Sequence, residues 1–230
     1  MKTIGLIGGM SWESTQHYYR LINEGVRERL GGLHSAKINM VSVEFNHVQE
    51  LQHADRWEEL GQELADAASK LEVSGADGIL ICTNTMHKVY DTVCKAVNVP
   101  VLHIASPTGT AIREQGLRSI ILLGTAFTME EEFYRDRLER QFGLKVIVPD
   151  EPDRKLIHRV IFDELVQGRI VNSSRDQFVS IIESLVERGG EGVIAGCTEI
   201  GLLVKQEQVA VPYFDTTELH ANAAVEFALA

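Results

Sequence analysis

The chain has 230 residues, of which 44% are hydrophobic and 24% charged, and its formal net charge is −11. This composition is typical of a globular protein with an ample core, and it excludes a largely disordered chain. The negative charge argues against nucleic acid and anionic membranes as partners, because both require a basic surface. No apolar stretch approaches the length of about 18 residues that a membrane-spanning helix needs.

The first ten residues, MKTIGLIGGM, predict a β-strand and not a signal peptide, because no small-residue cleavage site follows the apolar run. The three cysteines, Cys82, Cys94 and Cys197, form neither an even-numbered disulfide framework nor a CxxC pair. We therefore expect a reduced, cytoplasmic protein, in which an isolated cysteine can act as a base or a nucleophile. The histidines lack metal-ligand spacing, so we expect no metal site.

Short apolar segments rich in β-branched residues alternate with longer amphipathic segments along the chain. Strands are predicted at 3–7, 38–45, 78–82, 99–104, 119–123, 145–149, 192–196 and 211–215. Helices are predicted near 14–30, 55–74, 86–97, 107–115, 129–142, 153–167, 173–189 and 217–229. Continuous apolar strands separated by helices indicate parallel sheets covered on both faces, and so an α/β fold.

The chain contains an internal repeat. The segment 3–9 matches 119–125 at an offset of 116, 75–85 matches 189–199 at 114, and 99–104 matches 211–216 at 112. We expect two pseudo-symmetric α/β units, each with a parallel sheet of about four strands flanked by helices. The predicted first unit comprises 1–106 plus 211–230, because the last strand and helix are expected to cross back, and the second comprises 107–210.

The repeat aligns Thr83 with Cys197, each directly after a strand. Because ligands of open parallel sheets bind beyond the carboxyl ends of the strands, we expect these two residues to approach a shared cleft between the units from opposite sides. A helix N-terminus after Cys197 would favour its thiolate. The alternative is a buried structural cysteine, which is common. Cys82, as the neighbour of Thr83, is expected to face the packing side.

Several further residues are candidates for binding a substrate. Asn84 and Thr85 could offer an amide and a hydroxyl to a carboxylate, and Thr198 and Glu199 stand in the corresponding place after Cys197. The glycine-rich turn GLIGGM, which ends at Met10, fits neither GxGxxG nor GxxxxGK[ST], so it favours close backbone approach to a small ligand, with a serine cap on the next helix.

Three other positions have less specific interpretations. Gln52 lies on a stretch after the second strand that could overhang the strand ends. Thr128 to Glu131 have the pattern of a helix capping box. His87 is interpreted as a residue that supports the site from behind or lies on a helix face.

Taken together, GLIGGMS near the start, NTMH at 84–87 and GCTE at 196–199 resemble the aspartate/glutamate racemase superfamily, above all its aspartate racemase and broad-specificity branch. The resemblance implies a homodimer that interconverts L- and D-amino acids without a cofactor, with two cysteines on opposite sides of the substrate Cα. Cys197 matches the second cysteine, whereas Thr83 stands at the position of the first. Gln52 stands where aspartate-specific relatives have an arginine, and Glu199 where glutamate racemases have a histidine.

The resemblance predicts that Cys197 removes the Cα proton, from the L enantiomer by our expectation, and that Thr83 or a water beside it serves the other face. Two alternatives remain open at this point. One is a single-cysteine decarboxylase or cis–trans isomerase of a small dicarboxylate. The other is an amino-acid binding protein without catalysis.

Overall fold

The computed structural model describes all residues, 1–230, as two compact units. Unit 1 consists of Met1–Ile104 and His220–Ala230, and unit 2 of Ala105–Leu219. The elements of unit 1 are β1 (Thr3–Gly8), α1 (Trp12–Leu30), β2 (Lys37–Ser42), α2 (Phe45–His53), α3 (Trp57–Val73), β3 (Gly78–Ile81), a 3₁₀ helix (Thr85–Val89), α4 (Tyr90–Ala96) and β4 (Val101–Leu102).

Unit 2 repeats the alternation of strands and helices. Its elements are α5 (Ala105–Glu114), β5 (Ser119–Gly124), α6 (Ala126–Glu130), α7 (Glu132–Phe142), β6 (Lys145–Ile147), α8 (Glu151–Asp163), a 3₁₀ helix (Leu165–Gln167), α9 (Asn172–Glu187), β7 (Val193–Gly196), α10 (Ile200–Leu203), a 3₁₀ helix (Gln206–Gln208) and β8 (Tyr213–Asp215). The last helix, α11 (Thr216–Leu229), begins in unit 2 and continues into unit 1 from His220.

Each unit contains one four-stranded parallel sheet, in the order β2-β1-β3-β4 in unit 1 and β6-β5-β7-β8 in unit 2. The central strands are buried along almost their whole length, which explains their unbroken apolar sequences. In unit 1, α2, α3 and α4 cover one face of the sheet, while α1 and α11 cover the other. The predicted α/β class and sheet composition are confirmed.

Strand registers reproduce the sequence repeat. Gly5 pairs with Ile79 in unit 1, and Ile121 pairs with Val193 in unit 2, as offsets of 116 and 114 require. Ile79 in turn pairs with Val101, and Val193 with Tyr213, as the offset of 112 requires. The residues that follow β3 and β7 therefore occupy equivalent places in their own units.

The predicted assignment of 211–230 to the first unit needs a correction. β8 pairs with β7 in unit 2, and only the residues from His220 onward belong to unit 1. The reason lies in the two ends of α11. Thr216 donates a hydrogen bond to the carbonyl of Ala195 in unit 2, whereas Ala224 and Val225 pack in the core of unit 1.

Two further local predictions differ from the structure. The stretch around Gln52 forms helix α2, which begins after Glu44, whose carboxylate accepts from the N–H groups of Asn46 and His47. The capping box expected at Thr128–Glu131 is wrong, because Thr125 is the N-cap of α6 and accepts from the N–H of Thr128.

The predicted serine cap after the glycine-rich turn is confirmed. Ser11 accepts from the N–H of Ser14 at the start of α1. Across both units, no helix combines the length and the apolar character needed to cross a membrane.

Candidate active site

Cys197 directly follows β7, and its side chain forms part of a compact polar cluster with the two residues after it. Its Sγ donates a hydrogen bond to Oε2 of Glu199 at 2.9 Å, and Oγ1 of Thr198 donates to the same oxygen at 2.8 Å. Cys197 and Glu199 are only 7% and 3% exposed. One buried carboxylate oxygen thus holds both the thiol and the hydroxyl.

The surroundings of Cys197 raise the pKa of its thiol well above the usual value. Burial is the largest cause, followed by the charge of Glu199 and its hydrogen bond, and these outweigh the backbone N–H groups of Glu199 and Ile200. The backbone N–H groups at the start of α10 thus favour the thiolate, as expected, but the net pKa of Cys197 in the substrate-free protein is raised because burial and Glu199 have the larger effect. The helix concerned, α10, has four residues, and so short a helix has a weak dipole.

Thr83 follows β3 in unit 1 and is half-buried. Its carbonyl oxygen lies 2.8 Å from Nδ1 of His87, whose Nε2 accepts from the backbone N–H of Ile104 at 3.2 Å. Because a backbone N–H can only donate, Nε2 carries no proton, and Nδ1–H is the donor to Thr83. His87 therefore supports the Thr83 loop from behind, as the sequence predicted.

Cys82 faces the packing side of the sheet, as predicted. It is fully buried in the apolar cluster that packs against α1 and α11, with Leu6 and Leu80. Burial raises the pKa of its thiol far above the usual value, so this cysteine stays protonated. Its counterpart in unit 2 is Gly196, and a β-carbon at that position would overlap the side chain of Leu122, so this position also faces packed side chains.

A family model for Asp/Glu/Hydantoin racemases matches residues 7–224. The chain belongs to this family. A chain from Yersinia pestis, solved as a candidate Asp/Glu racemase, is 50% identical over the full length of both chains, with a TM-score of 0.93. An aspartate racemase homologue from Pyrococcus horikoshii is 37% identical over the full length of both, with a TM-score of 0.86.

A curated relative, the broad-specificity amino-acid racemase RacX of Bacillus subtilis, is 24% identical over 99% of this chain and 98% of its own length. The resemblance recognised in the sequence is thereby confirmed, and the family supports an amino-acid racemase as the class of enzyme.

In this racemase-family chain, the other substrate-binding candidates of unit 1 are buried. Met10 packs in the apolar core with residues of α2 and α3. Gln52 lies on α2, and its Nε2 donates to Sδ of Met86 at 3.1 Å. Asn84 and Thr85 are buried at the start of the 3₁₀ helix that follows β3. The substrate-binding roles of all four remain predictions.

Sequence reasoning missed two ionisable groups in unit 2, Tyr213 and Asp215 on β8. The hydroxyl of Tyr213 is buried without a hydrogen-bond partner, and burial, followed by the charges of Asp215, Glu218 and Cys197, raises its pKa well above the usual value. Burial, and then Glu218, raises the pKa of Asp215 to about 6. The repeat held a usable signal, because it aligns Asp215 with His103.

Sequence reasoning also missed His220, a fully buried histidine of unit 1. Nε2 of His220 donates to the carbonyl of Leu102, and Nδ1 accepts from the hydroxyl of Tyr18, both at 2.9 Å. No sequence motif surrounds this residue, so nothing in the sequence could have identified it. Neither unit contains a group of three or more histidine, cysteine, aspartate or glutamate side chains arranged to hold a metal ion.

Proposed function

We propose that the protein is a cofactor-independent amino-acid racemase that acts on aspartate, glutamate or related α-amino acids. The observation that carries this proposal is the placement of Cys197, a proton-bearing thiol hydrogen-bonded to a buried carboxylate at the end of β7. Its counterpart after β3, by the shared register of the two sheets, is Thr83.

In the proposed reaction, the thiolate of Cys197 removes the Cα proton of the L enantiomer, so that the C–H bond breaks and an S–H bond forms. The resulting carbanion takes a proton on its opposite face from a water held near Thr83. Water and the threonine hydroxyl beside it are both far weaker acids than a thiol at neutral pH, so we expect this second step to be the slower one. N–H donors at the strand ends would stabilise the charge that develops on the substrate carboxylate.

The two enantiomers have equal free energy, which constrains the kinetics. The ratio kcat/KM must be equal in both directions, and only kcat and KM taken separately can differ. Exchange of the Cα proton without inversion is the other permitted sign of an inefficient second step.

Proton NMR in D₂O with panels of L- and D-amino acids tests the proposal, because it follows both loss of the Cα proton and, with chiral chromatography, inversion. We expect exchange with inversion for at least one amino acid, and loss of both in Cys197→Ala. The matched control is Cys94→Ala, which changes a partly buried cysteine of α4. Full exchange in Cys197→Ala would refute the role of Cys197.

Three other results would change this conclusion. Exchange from one enantiomer alone would show that Cys197 works without a partner. If no amino acid of the panel shows exchange or inversion, but a dicarboxylate loses CO₂ or isomerises, the protein is a decarboxylase or an isomerase. Tight binding of an amino acid without any reaction would identify a binding protein.

We also propose, from the family resemblance, that the protein works in the cytoplasm as a homodimer. All three of its cysteines are free thiols, which suits a reducing compartment. Light scattering of the purified chain would give its oligomeric state.

A further inference from the structure

The carboxylate of Glu199 lies within hydrogen-bond distance of the Cys197 thiol. Its Oε2 accepts hydrogen bonds from Sγ of Cys197 and from Oγ1 of Thr198. An oxygen that accepts from two donors suits the ionised carboxylate, which offers only acceptor sites. The resting site therefore holds one proton, on the sulfur, between two groups that could each carry it.

Burial limits the contact of this pair with water. Both side chains are almost completely shielded in the substrate-free protein, so Oε2 of Glu199, hydrogen-bonded to the thiol, is a nearby acceptor for a proton that leaves the sulfur. Thr198 has its own proton to donate and does not compete as an acceptor of the thiol proton at this oxygen.

We propose that Glu199 is the base that accepts the thiol proton of Cys197, and so generates the thiolate within the substrate-bound site. This role replaces that of a substrate ligand, and it rests on the proposed action of Cys197 at Cα. Glu199 is then a catalytic residue, because its carboxylate touches the reacting sulfur.

The protons balance over one turnover. The S–H bond of Cys197 breaks as an O–H bond forms on Glu199. The thiolate then takes the Cα proton and becomes a thiol again. Water on the opposite face gives a proton to the carbanion and leaves hydroxide, which the proton released from Glu199 to solvent neutralises.

The other ionisable groups nearby are less suited to this role. Asp215 on β8 uses Oδ1 to accept from the backbone N–H groups of Thr217 and Glu218. Burial, followed by the charges of Asp215 and Glu218, raises the pKa of Tyr213, so its phenol stays protonated and cannot accept a proton from a thiol. Glu199 is the one with an oxygen at hydrogen-bond distance from Sγ.

The pH dependence of the wild-type protein tests the proposal without any variant. The state with thiolate and protonated Glu199 contains as many protons as the resting state, so we expect the rate of Cα exchange to be constant between about pH 6 and pH 8.5. Alkylation of Cys197 by iodoacetamide, read by peptide mass spectrometry, should have its midpoint above that range. An exchange rate that rises tenfold per pH unit up to the alkylation midpoint would overturn the proposal, because the active form would then have lost a proton.

The variant Glu199→Gln separates a base from a mere neighbouring charge. Removing the charge should lower the alkylation midpoint of Cys197 by at least one pH unit, so the thiolate forms more easily. Exchange at pH 7 should nevertheless fall by about 100-fold, the low end of general-base contributions, and should now rise with pH. The matched control is Glu183→Gln, which removes an exposed carboxylate from α9 and should change neither quantity.

Three outcomes in the variants would overturn the proposal. The first is an unchanged or faster Cα exchange in Glu199→Gln together with a lower alkylation midpoint, and the second is an unchanged midpoint in that variant. The third is an equally large loss of exchange in Glu199→Asp, because this variant keeps a carboxylate and should recover part of the activity. Circular dichroism checks that each variant is folded. If the wild-type protein shows no exchange, the proposed function fails, while the alkylation profiles still report whether Glu199 controls the thiol.

Discussion

Nδ1 of His87 donates to the carbonyl oxygen of Thr83 across 2.8 Å, while Nε2 of the same ring accepts from the N–H of Ile104. The ring thereby connects the loop after β3 to the residues that follow β4. Both nitrogens are used in a way that only the neutral Nδ1–H tautomer permits. The position of Thr83 thus depends on a histidine that need not contact the substrate.

We expect His87→Ala to impair the step on the Thr83 side more than the step at Cys197. The ratio of inversion to Cα exchange should fall about tenfold, the loss expected when roughly 1.4 kcal/mol of positioning is removed. His87→Asn places an amide N–H near the former Nδ1 and should recover part of the ratio. His53→Ala, at an exposed histidine of α2, is the control. An unchanged ratio in His87→Ala would contradict the positioning role.

Cys82→Ser should lower stability and leave the rate of exchange unchanged. Cys82 lies in the apolar cluster with Leu6 and Leu80, where a hydroxyl without a partner costs about 1–3 kcal/mol. Urea unfolding followed by tryptophan fluorescence measures this loss, because both tryptophans, Trp12 and Trp57, belong to unit 1. A fall in exchange rate beyond the folded fraction would show instead that Cys82 takes part in the chemistry.

His220 should make unit 1 less stable as the pH falls below neutral. Burial lowers its pKa to about 4, against about 6.5 in the unfolded chain. Between these values the unfolded chain binds more protons, so the contribution is complete above pH 6.5 and is lost as the pH falls toward 4, by about 3 kcal/mol in all.

The contribution of His220 is measured as the difference in the free energy of unfolding between the wild-type protein and His220→Gln, from urea unfolding at pH 4.5 to 7. The difference is needed because Asp215, with its pKa raised to about 6, contributes with the opposite sign in part of this range. We expect the stability gap between the two proteins to shrink as the pH falls. A constant gap would contradict a neutral, buried His220.

Gly201 and Asp215 should be energetically coupled. A β-carbon at Gly201 would overlap Oδ2 of Asp215, whose other oxygen caps the start of α11. Gly201→Ala should therefore lower the free energy of unfolding by about 1–3 kcal/mol, as overpacking does. In an Asp215→Ala background the same change should cost much less, and thermal unfolding of the four proteins measures the coupling. Additive effects would contradict the contact.

Much of the candidate site could be predicted because its signals are local. Thr83 and Cys197 each follow an unbroken apolar strand, and the internal repeat aligns the two residues from chain order alone. The helix α2 was missed because Phe45–His53 is only nine residues long, too short to be stable by itself, and it is tertiary packing of Val48 and Leu51 that stabilises it.

The sequence by itself determined the α/β class, the duplication and which strands of the two units are equivalent, because apolar periodicity and a nearly constant repeat offset are properties of the chain order. Only the tertiary structure decided where the chain returns to unit 1. β8 and α11 adjoin in sequence, and which sheet the strand joins depends on pairing with β7 over a long separation.

The tertiary structure also decided the protonation of Cys197. The motif GCTE shows that Glu199 is near in sequence, but a pKa depends on how fully the pair is withdrawn from water and on which oxygen faces the sulfur. Burial and orientation come from packing with β7 and α10. The motif GCTE alone is therefore compatible with either a thiolate or a thiol at Cys197.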